Sequence, residues 1–452
     1  MSPLIWVNVQ FRSAIRRLLE LDRPVTFRSD DEIAADVERD YPWNFTVNLV
    51  EGASFFFGAS FISSSTIVPL FISKLTSSPL PIGLASVLAQ SGWFLPQLFT
   101  ARSVERLPRR KPLVVNAGVF LERVPVWLLV GAALLASQST WFALALFMVS
   151  YAWHQLGAGI VATAWQDMLA RCFPVDRRGR FWGTTTFIGT GTGILGAALS
   201  IYILDHYAFP GNFVYIFAIA ALGITISWFF IALTREPAQP VTTPRQSNRQ
   251  FWASLLDILR HDQNFRRFLM ARMTLAMGNM GRDFITVAAV HRWQVSDGTV
   301  GIYTGALLVG QTLGNLVFGL LADRFGHKMP LELSAVASAL AFALAWLAPG
   351  SDWYYAVFAL LGVTVGAIIV SGILVTMEFS EPQRRPTYVG LANTIVGLVS
   401  VAAPLLGAWL AGISYDALFA LSAAVSLAAW VLMRWWVREP RWTNVSAGAS
   451  TK

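Results

Sequence analysis

Ionisable side chains inside long apolar stretches are the residues of this sequence with the clearest capacity for chemistry. Glu51 follows Asn44 and Asn48 at spacings that place all three side chains on one face of a helix. Such a carboxylate is costly to keep charged in lipid and is a functional candidate by default. We therefore predict that Glu51 takes up and releases a proton. The alternative is a permanent ion pair between Glu51 and an arginine.

A second polar stripe runs through an apolar stretch in the other half of the chain. Arg272, Asn279 and Asp283 recur at helical spacing, which places them on one face of the same helix. Either this face lines a cavity, or an arginine there forms a static ion pair with a carboxylate.

Five further side chains are candidates for contact with a small molecule. His154 lies near the middle of its apolar stretch, and packing through a hydrogen bond is its alternative role. Trp165 offers an aromatic face for stacking, with plain packing as the alternative. Gln311 and Asn315 lie one turn apart and either line a cavity or bond to a neighbouring helix. Ser371 belongs to a polar face that repeats every seven residues.

Motifs for nucleotide, metal and nucleophilic chemistry are missing from the sequence. There is no Gly-x-x-x-x-Gly-Lys-Ser/Thr loop to bind phosphate. The five His show no ligand spacing, and the one Cys, Cys172, excludes an intrachain disulfide. We therefore expect no cofactor, no bound metal and no enzymatic activity.

The composition indicates which elements must position these residues. Of the 452 residues, 55% are hydrophobic and 13% are charged, against roughly 25% charged in a soluble protein. This balance argues against a large soluble enzyme and excludes a disordered chain. A bilayer-spanning helix needs about 20 apolar residues, and twelve such runs predict an all-α membrane protein with twelve transmembrane helices. The runs are 45–71, 80–101, 112–136, 140–169, 181–204, 212–234, 266–290, 298–322, 329–348, 353–379, 386–410 and 414–436.

The basic residues between these runs predict the orientation. The connections after the even-numbered spans contain 19 Lys and Arg, when Arg266 and Arg267 at the very start of span 7 are counted with the connection before it, and those after the odd-numbered spans contain two, Lys74 and Arg292. Basic connections stay in the cytoplasm. We therefore predict a multi-pass protein of the cell membrane, plasma or inner, with both termini in the cytoplasm. The net charge of +8 is explained by these connections, so no nucleic-acid partner is expected.

The chain divides into two halves around a polar linker. Residues 4–21 are predicted to form either a basic amphipathic helix on the inner leaflet or a solvated tail helix. A short helix that begins at a capping box of Ser29 and Glu32 is predicted to follow. The predicted parts are a cytoplasmic segment 1–42, a six-helix bundle 43–234, a cytoplasmic linker 235–264, a second six-helix bundle 265–437 and a tail 438–452.

An internal repeat relates the two halves. The connection after span 8 reads Ala-Asp-Arg-Phe-Gly-His-Lys from residue 322, and the connection after span 2 reads Val-Glu-Arg-Leu-Pro-Arg-Arg-Lys from residue 104. With one inserted residue, the acid, the Arg and the Lys coincide. The connections after spans 4 and 10 also share a pair of Arg, an aromatic residue and a Gly. Two matches at the same relative place indicate a six-plus-six duplication.

Segment 319–331 resembles the signature between helices 8 and 9 of the major facilitator superfamily. It reads Gly-Leu-Leu-Ala-Asp-Arg-Phe-Gly-His-Lys-Met-Pro-Leu, with His327 in place of the usual Arg. The resemblance covers spans 1–12. It implies two six-helix bundles that rock about a central cavity lined by helices 1, 4, 7 and 10. It also implies that Asp323 contacts the N-terminus of helix 11 near Thr387 when the cytoplasmic side closes. The gating residues carried over are Gly319, Asp323, Arg324, Gly326 and Lys328, with Glu105 and Arg106 in the first copy.

The resemblance implies a secondary active transporter of small solutes. The predicted partners are a small-molecule substrate, protons or another coupling ion and the lipid bilayer, with a monomeric protein. We interpret the function as proton-coupled export of an amphiphilic molecule, with Glu51 as the coupling carboxylate. Span 5 has the glycines but lacks the Pro of the Gly-Pro-x-x-Gly-Gly stretch of drug-export antiporters. Substrate-specific uptake, facilitated diffusion and a non-transporting receptor or assembly factor remain alternatives.

Overall fold

The computed structural model describes residue 13 and residues 16–23, 29–105, 107–174, 177–238, 257–372, 374–379 and 385–440. Within these ranges the regular structure is entirely helical, which confirms the predicted all-α membrane fold. The first half contains α1 (Asp30–Ser60), α2 (Ile67–Leu75), α3 (Leu80–Glu105), α4 (Leu113–Leu135), α5 (Thr140–Cys172), α6 (Arg178–His206) and α7 (Gly211–Ala232).

The second half repeats this arrangement of long helices. It contains α8 (Gln263–Gly278), a 3₁₀ stretch (Asn279–Phe284), α9 (Ile285–Trp293), α10 (Asp297–Phe325), α11 (Lys328–Leu347), α12 (Trp353–Ser371), α13 (Leu374–Glu378), α14 (Arg385–Ile413) and α15 (Tyr415–Val431). In the described part of the chain, nine helices are long and apolar enough to cross a bilayer. The predicted spans outside that set are 1, 2 and 7, which correspond to α1 with α2, to α3, and to α8 with α9. The total of twelve spans stays a prediction.

The helices differ from the sequence prediction in three places. The capping box at Ser29 is present, with Glu32 as its third residue, but the helix that begins there continues through Pro42 to Ser60 instead of ending before span 1. Predicted span 1 is in turn divided, because residues 61–66 separate α1 from α2. Predicted span 7 is interrupted by the 3₁₀ stretch, where each residue turns about 120° instead of 100°.

The helices pack into two bundles, one from each half of the chain. In the first, α1 packs on α6 and α7, and α3 packs on α5. In the second, α10 packs on α12, and α15 packs on α8 and α11. The bundles meet along two pairs of antiparallel helices, α6 with α10 and α3 with α14. We call the end of the molecule at residues 233–238 the linker end and the opposite end the far end.

The hydrophobic core is continuous across the bundles at the far end only. One buried cluster there includes Phe71 and Phe217 of the first bundle with Phe284 and Tyr303 of the second. At the linker end each bundle has a cluster of its own. The first contains Met168, Phe173 and Phe181, and the second contains Phe265, Phe268 and Leu391. The described structure is therefore joined at the far end and divided at the linker end.

Candidate functional site

A buried carboxylate joins the two bundles at the far end. Asp283 lies in the 3₁₀ stretch after α8 and is 3% exposed. Its Oδ1 accepts a hydrogen bond from Ser65 Oγ at 2.8 Å, and its Oδ2 accepts one from Ser86 Oγ. Thr286 Oγ1 donates to the backbone oxygen of Ser65 at 2.6 Å. Through these hydrogen bonds the second bundle contacts both the segment between α1 and α2 and the helix α3 of the first bundle.

Two more polar contacts cross between the bundles at this end. The hydroxyls of Thr66 and Thr304 lie 2.6 Å apart, and both residues are fully buried. Lys74, in the last turn of α2, pairs with Asp297 at the start of α10, with 2.7 Å between Nζ and Oδ1. We call these contacts, together with those of Asp283, the far-end gate. Hydrogen bonds and a partly exposed ion pair contribute little each and separate at modest cost.

The register of α6 on α10 shows where the bundles part. An added Cβ on Gly301 would lie 3.0 Å from the backbone of Ile201, and one on Gly305 would lie 4.0 Å from the Cβ of Ala197. Gly183 on α6 lies two heptads from Ala197, and Gly319 on α10 lies two heptads from Gly305. Both are nearer the linker end and on the same faces of their helices. Neither has an atom within 4 Å of an added Cβ. The helices therefore touch in their far halves and diverge toward the linker end.

Helices α3 and α14 stay in contact further along their length. An added Cβ on Gly83 would lie 3.0 Å from the backbone oxygen of Pro404, and one on Gly397 would lie 3.4 Å from Leu95. Glycines at these crossings allow close approach of the two backbones. This pair connects the bundles between the far-end gate and the open linker end.

The polar stripe on helix 1 forms one face, as its spacing predicts, but that face lies inside the first bundle. Asn44 and Asn48 are fully buried. Asn44 Nδ2 donates to the backbone oxygen of Arg235 at 3.0 Å, and Thr234 donates to Asn48 Oδ1 at 3.2 Å. Glu51 Oε1 accepts a hydrogen bond from Ser227 of α7 at 3.1 Å. In this conformation the stripe faces α7 and the segment after it, and not the second bundle.

Glu51 belongs to a buried group of ionisable side chains. Arg123 of α4 is in contact with its neighbour Glu122, and both are buried. His154 Nδ1 lies 2.9 Å from the backbone oxygen of Glu122. Glu51 is not within ion-pair distance of Arg123, although the two attract each other electrostatically. The hydrogen-bond partner of Glu51 in this group is therefore a neutral hydroxyl, that of Ser227.

The stripe on helix 7 is divided by the 3₁₀ stretch. Asn279 Oδ1 accepts from Ser338 of α11 at 2.9 Å, inside the second bundle, whereas Asp283 faces the first bundle. Arg272 lies in α8 with its Nη1 beside Gly372, and no hydrogen bond from the described residues reaches that atom. The sequence left open a static ion pair between an arginine of this stripe and a carboxylate. In the structure, Arg282 Nε lies 3.9 Å from Asp283 Oδ1, a long distance for an ion pair. The extra rotation of the 3₁₀ turns explains why the three residues do not share a face.

The other predicted cavity residues are distributed along both bundles. Trp165 packs edge-on against Trp182 at 5.4 Å. Gln311 is buried against α12 at Gly362, and Asn315 lies against the same helix at Gly366, where an added Cβ would be 2.7 Å from either backbone nitrogen. The side-chain amide of Asn315 is shielded from solvent without a hydrogen-bond partner among the described residues.

The gating segment lies at the linker end of the second bundle, between α10 and α11. Gly326 has a φ of 89° and ends α10, a conformation that favours glycine. Lys328 pairs with Glu332 one turn on, at 2.8 Å, and Arg324 is exposed. His327 Nδ1 lies 3.1 Å from Ser371 Oγ, which ties this loop to α12. The described part of the structure does not include Arg106 or the side chains of Glu105, Asp323 and Thr387. The predicted contact of Asp323 therefore stays a prediction.

A repeated contact at the linker end was missed by the sequence reasoning. Asn44 Oδ1 accepts from the backbone nitrogen of Arg235 at 2.8 Å, and its amide donates back to the Arg235 oxygen. Asn264 makes the same two bonds with Arg438, at 2.9 and 3.0 Å. The signal was the triplet Arg-Glu-Pro, which begins at 235 and again at 438. The repeat predicted from the loops therefore extends to the ends of α7 and α15.

The Glu of the first triplet caps a helix. The backbone N–H groups of Arg110 and Lys111 donate to the Glu236 carboxylate at 2.8 to 2.9 Å, just before α4. A carboxylate is favoured at the N-terminus of a helix. Burial raises the pKa of Glu236, opposed by these two backbone hydrogen bonds. In the second half, the Glu439 carboxylate lies beside Gly326, just before α11.

Comparison with known proteins identifies one family. The model of the Major Facilitator Superfamily matches residues 50–294 and 276–450. The chain is 23% identical over 309 residues to YfkF, an uncharacterized MFS-type transporter of Bacillus subtilis (strain 168), covering 66% of this chain and 72% of the relative. It is 32% identical over 171 residues to the 3-(3-hydroxy-phenyl)propionate transporter of Escherichia coli (strain K12), covering 36% and 39%. The solved structure of a D-xylose-proton symporter matches with a TM-score of 0.62 at 15% identity, over 88% of this chain and 98% of that one.

Proposed function

The chain belongs to the major facilitator superfamily, and on that premise we propose that it is a secondary transporter that moves a small organic solute across the cell membrane by alternating access. The observation that carries this proposal is the asymmetry of the bundle interface. The bundles share one core and a polar gate at the far end, and have separate cores at the linker end. A rigid-body rotation about the α3–α14 contact would exchange these two arrangements.

The chemistry of the gate supports a reversible closure. Its contacts are hydroxyl–carboxylate and hydroxyl–hydroxyl hydrogen bonds and one ion pair. Each of these groups finds water as a substitute partner once the gate opens, so opening leaves few unsatisfied polar atoms. Apolar side chains in an interface have no hydrogen bonds that water could replace in this way. If the linker end lies in the cytoplasm, as the basic residues predict, the described conformation opens to the inside.

We assign proton coupling to Glu51 and propose export as the direction. Glu51 is 6% exposed, and a buried carboxylate whose partner is a hydroxyl gains or loses a proton more readily than one in a fixed ion pair. Arg123 and Glu122 of α4 are the other charged side chains of this buried group. The D-xylose-proton symporter, which has the same fold, is by its name coupled to protons.

The experiment measures accumulation in proteoliposomes with and without a pH gradient, using a ligand first identified by thermal shift in detergent, because a ligand of the folded state raises its apparent stability. Glu51→Gln should abolish gradient-driven accumulation while ligand binding and counterflow persist. Glu332→Gln is the matched control, since Glu332 is a buried carboxylate already paired with Lys328. Normal accumulation by Glu51→Gln would refute the assignment of Glu51. Absence of both accumulation and counterflow in the wild-type protein would refute the transport function.

A further inference from the structure

Arg272 is a cation in α8 without a counter-charge among the described residues. The guanidinium of arginine stays protonated at any physiological pH, so it cannot escape its charge by losing a proton. Its Nη1 is shielded from solvent and has no hydrogen-bond partner in the described part of the chain. No described carboxylate lies within ion-pair distance of it, although Arg123, Arg171 and Arg292 each have one.

The surroundings of Arg272 place it beside a second helix of the same bundle. An added Cβ on Gly372, at the end of α12, would lie 3.2 Å from Arg272 Nη1. The absence of a side chain at Gly372 therefore makes room for the guanidinium. The Arg272 side chain as a whole is only half-buried, so part of it reaches solvent. The second unpartnered polar side chain against α12, Asn315, lies at Gly366, six residues or about 9 Å along the helix.

Arg272 lies in the half of predicted span 7 that is nearer the linker end. It lies nine residues into α8, which begins at the linker end, and the described conformation separates the two bundles there. A guanidinium without a partner in the described structure is suited to pair with a carboxylate through two parallel N–H···O bonds.

We propose that the transported solute is an organic carboxylate and that Arg272 binds its carboxylate group. This inference rests on the proposed transport function and adds the class of solute to it. The carboxylate would enter from the linker end, replace water at the guanidinium and supply the charge that no described side chain supplies. The solute's charge would leave the site with the solute, so Arg272 would be paired only while the transporter is loaded.

The test measures binding and not transport. Thermal unfolding of the purified full-length protein in detergent is followed with benzoate, 3-phenylpropionate and indole-3-acetate, each compared with the neutral amide of the same skeleton. At least one carboxylate should raise the unfolding midpoint while its amide does not. Arg272→Gln should weaken the apparent affinity for that carboxylate by tenfold or more. Arg434→Gln, which alters an exposed arginine of the same bundle, should leave it unchanged.

Three results would overturn the proposal. They are an equal shift by carboxylate and amide, an unchanged affinity in Arg272→Gln, and the absence of a shift with all three carboxylates. Should Arg272→Gln fail to fold, Arg272→Lys keeps the charge without the paired donors and should bind more weakly than the wild type. Transport of a neutral solute by the wild-type protein would refute this inference and leave the transport function intact.

Discussion

Asp283 is the carboxylate through which the two bundles meet at the far end. It accepts hydrogen bonds from Ser65, on the segment between α1 and α2, and from Ser86 on α3. Both hydrogen bonds link the bundles, so the net contribution of a typical hydrogen bond, about 0.5–1.5 kcal/mol, favours the conformation that is closed at the far end. The hydroxyl partners return to water when the gate opens, which keeps the cost of opening small.

Replacement of this carboxylate should shift the conformational equilibrium. In Asp283→Ala both serine hydroxyls lose their acceptor, so we expect the far-end-open population to increase roughly tenfold, which corresponds to about 1.4 kcal/mol. The measurement is the alkylation rate of a Cys introduced at Thr304, after replacement of Cys172. Asp416→Ala is the control, because Asp416 pairs with Arg292 inside one bundle at the same end. An unchanged alkylation rate in Asp283→Ala would contradict the role of the gate.

The candidate site could be predicted only in part from residue spacing. Spacing correctly groups Asn44, Asn48 and Glu51 on one face, because the helix there is regular. It does not indicate which neighbour the face meets, and that depends on packing between distant segments. Ser65 and Ser86 had no signal of their own, since a serine in an apolar run is common in membrane helices and its partner lies 197 or more positions away in the sequence.

At the scale of elements, the ends of the helices are held by side chains from other helices. The segment after α7 is bound by Asn44 and capped on α4 by Glu236, and the segment after α15 is bound by Asn264. The interruption of α8 by a 3₁₀ stretch divides a stripe that regular spacing would keep together. Helix periodicity predicts long elements well, but a short change of helix type has no clear signature in composition, so the direction of Asp283 was not predictable.

The two asparagine contacts should stabilise their bundles independently. Asn44→Ala removes two hydrogen bonds to a partly buried backbone and should lower the free energy of unfolding by about 1–3 kcal/mol. Asn264→Ala removes two hydrogen bonds to an exposed backbone and should lower it by about 0.5–1.5 kcal/mol. The double variant should show the sum, because the two sites lie in different bundles. Thermal unfolding in detergent checks this. Thr46→Ala is the control, because Thr46 is exposed on α1. An effect of the asparagine variants as small as that of Thr46→Ala would refute the prediction.

The junction between α1 and the segment after α7 should be sensitive to acid. Hydrogen bonds from Arg39 and Arg235 hold the pKa of Asp40 below its ordinary value of 3.8, against desolvation. A carboxyl whose folded-state pKa is lowered stabilises the fold above the unfolded pKa and loses that contribution as the pH falls through the folded value. Unfolding midpoints should therefore fall more steeply in the wild type than in Asp40→Asn as the pH is lowered from about 5 to about 2. Parallel profiles would contradict this.

At the scale of the whole molecule, the internal repeat explains the shared architecture and the gate explains the difference between its ends. The loops after predicted spans 2 and 8 and the Arg-Glu-Pro triplets occupy corresponding places in the two bundles. Hydropathy and charge were sufficient to predict the helical membrane fold, because both follow from the bilayer. The conformation was beyond their reach, since it depends on contacts between the bundles that differ by only a few kcal/mol.

The most direct test of alternating access is a pair of distances measured by spin labelling in lipid nanodiscs. One pair joins positions 183 and 319 near the linker end, and the other joins the far-end positions 138 and 352, all in a background that lacks Cys172. Relative to the otherwise wild-type protein, Asp283→Ala should shorten the 183–319 distance and lengthen the 138–352 distance in the same fraction of molecules. Distances that both remain unchanged, or that both lengthen together, would contradict the exchange of one closed end for the other.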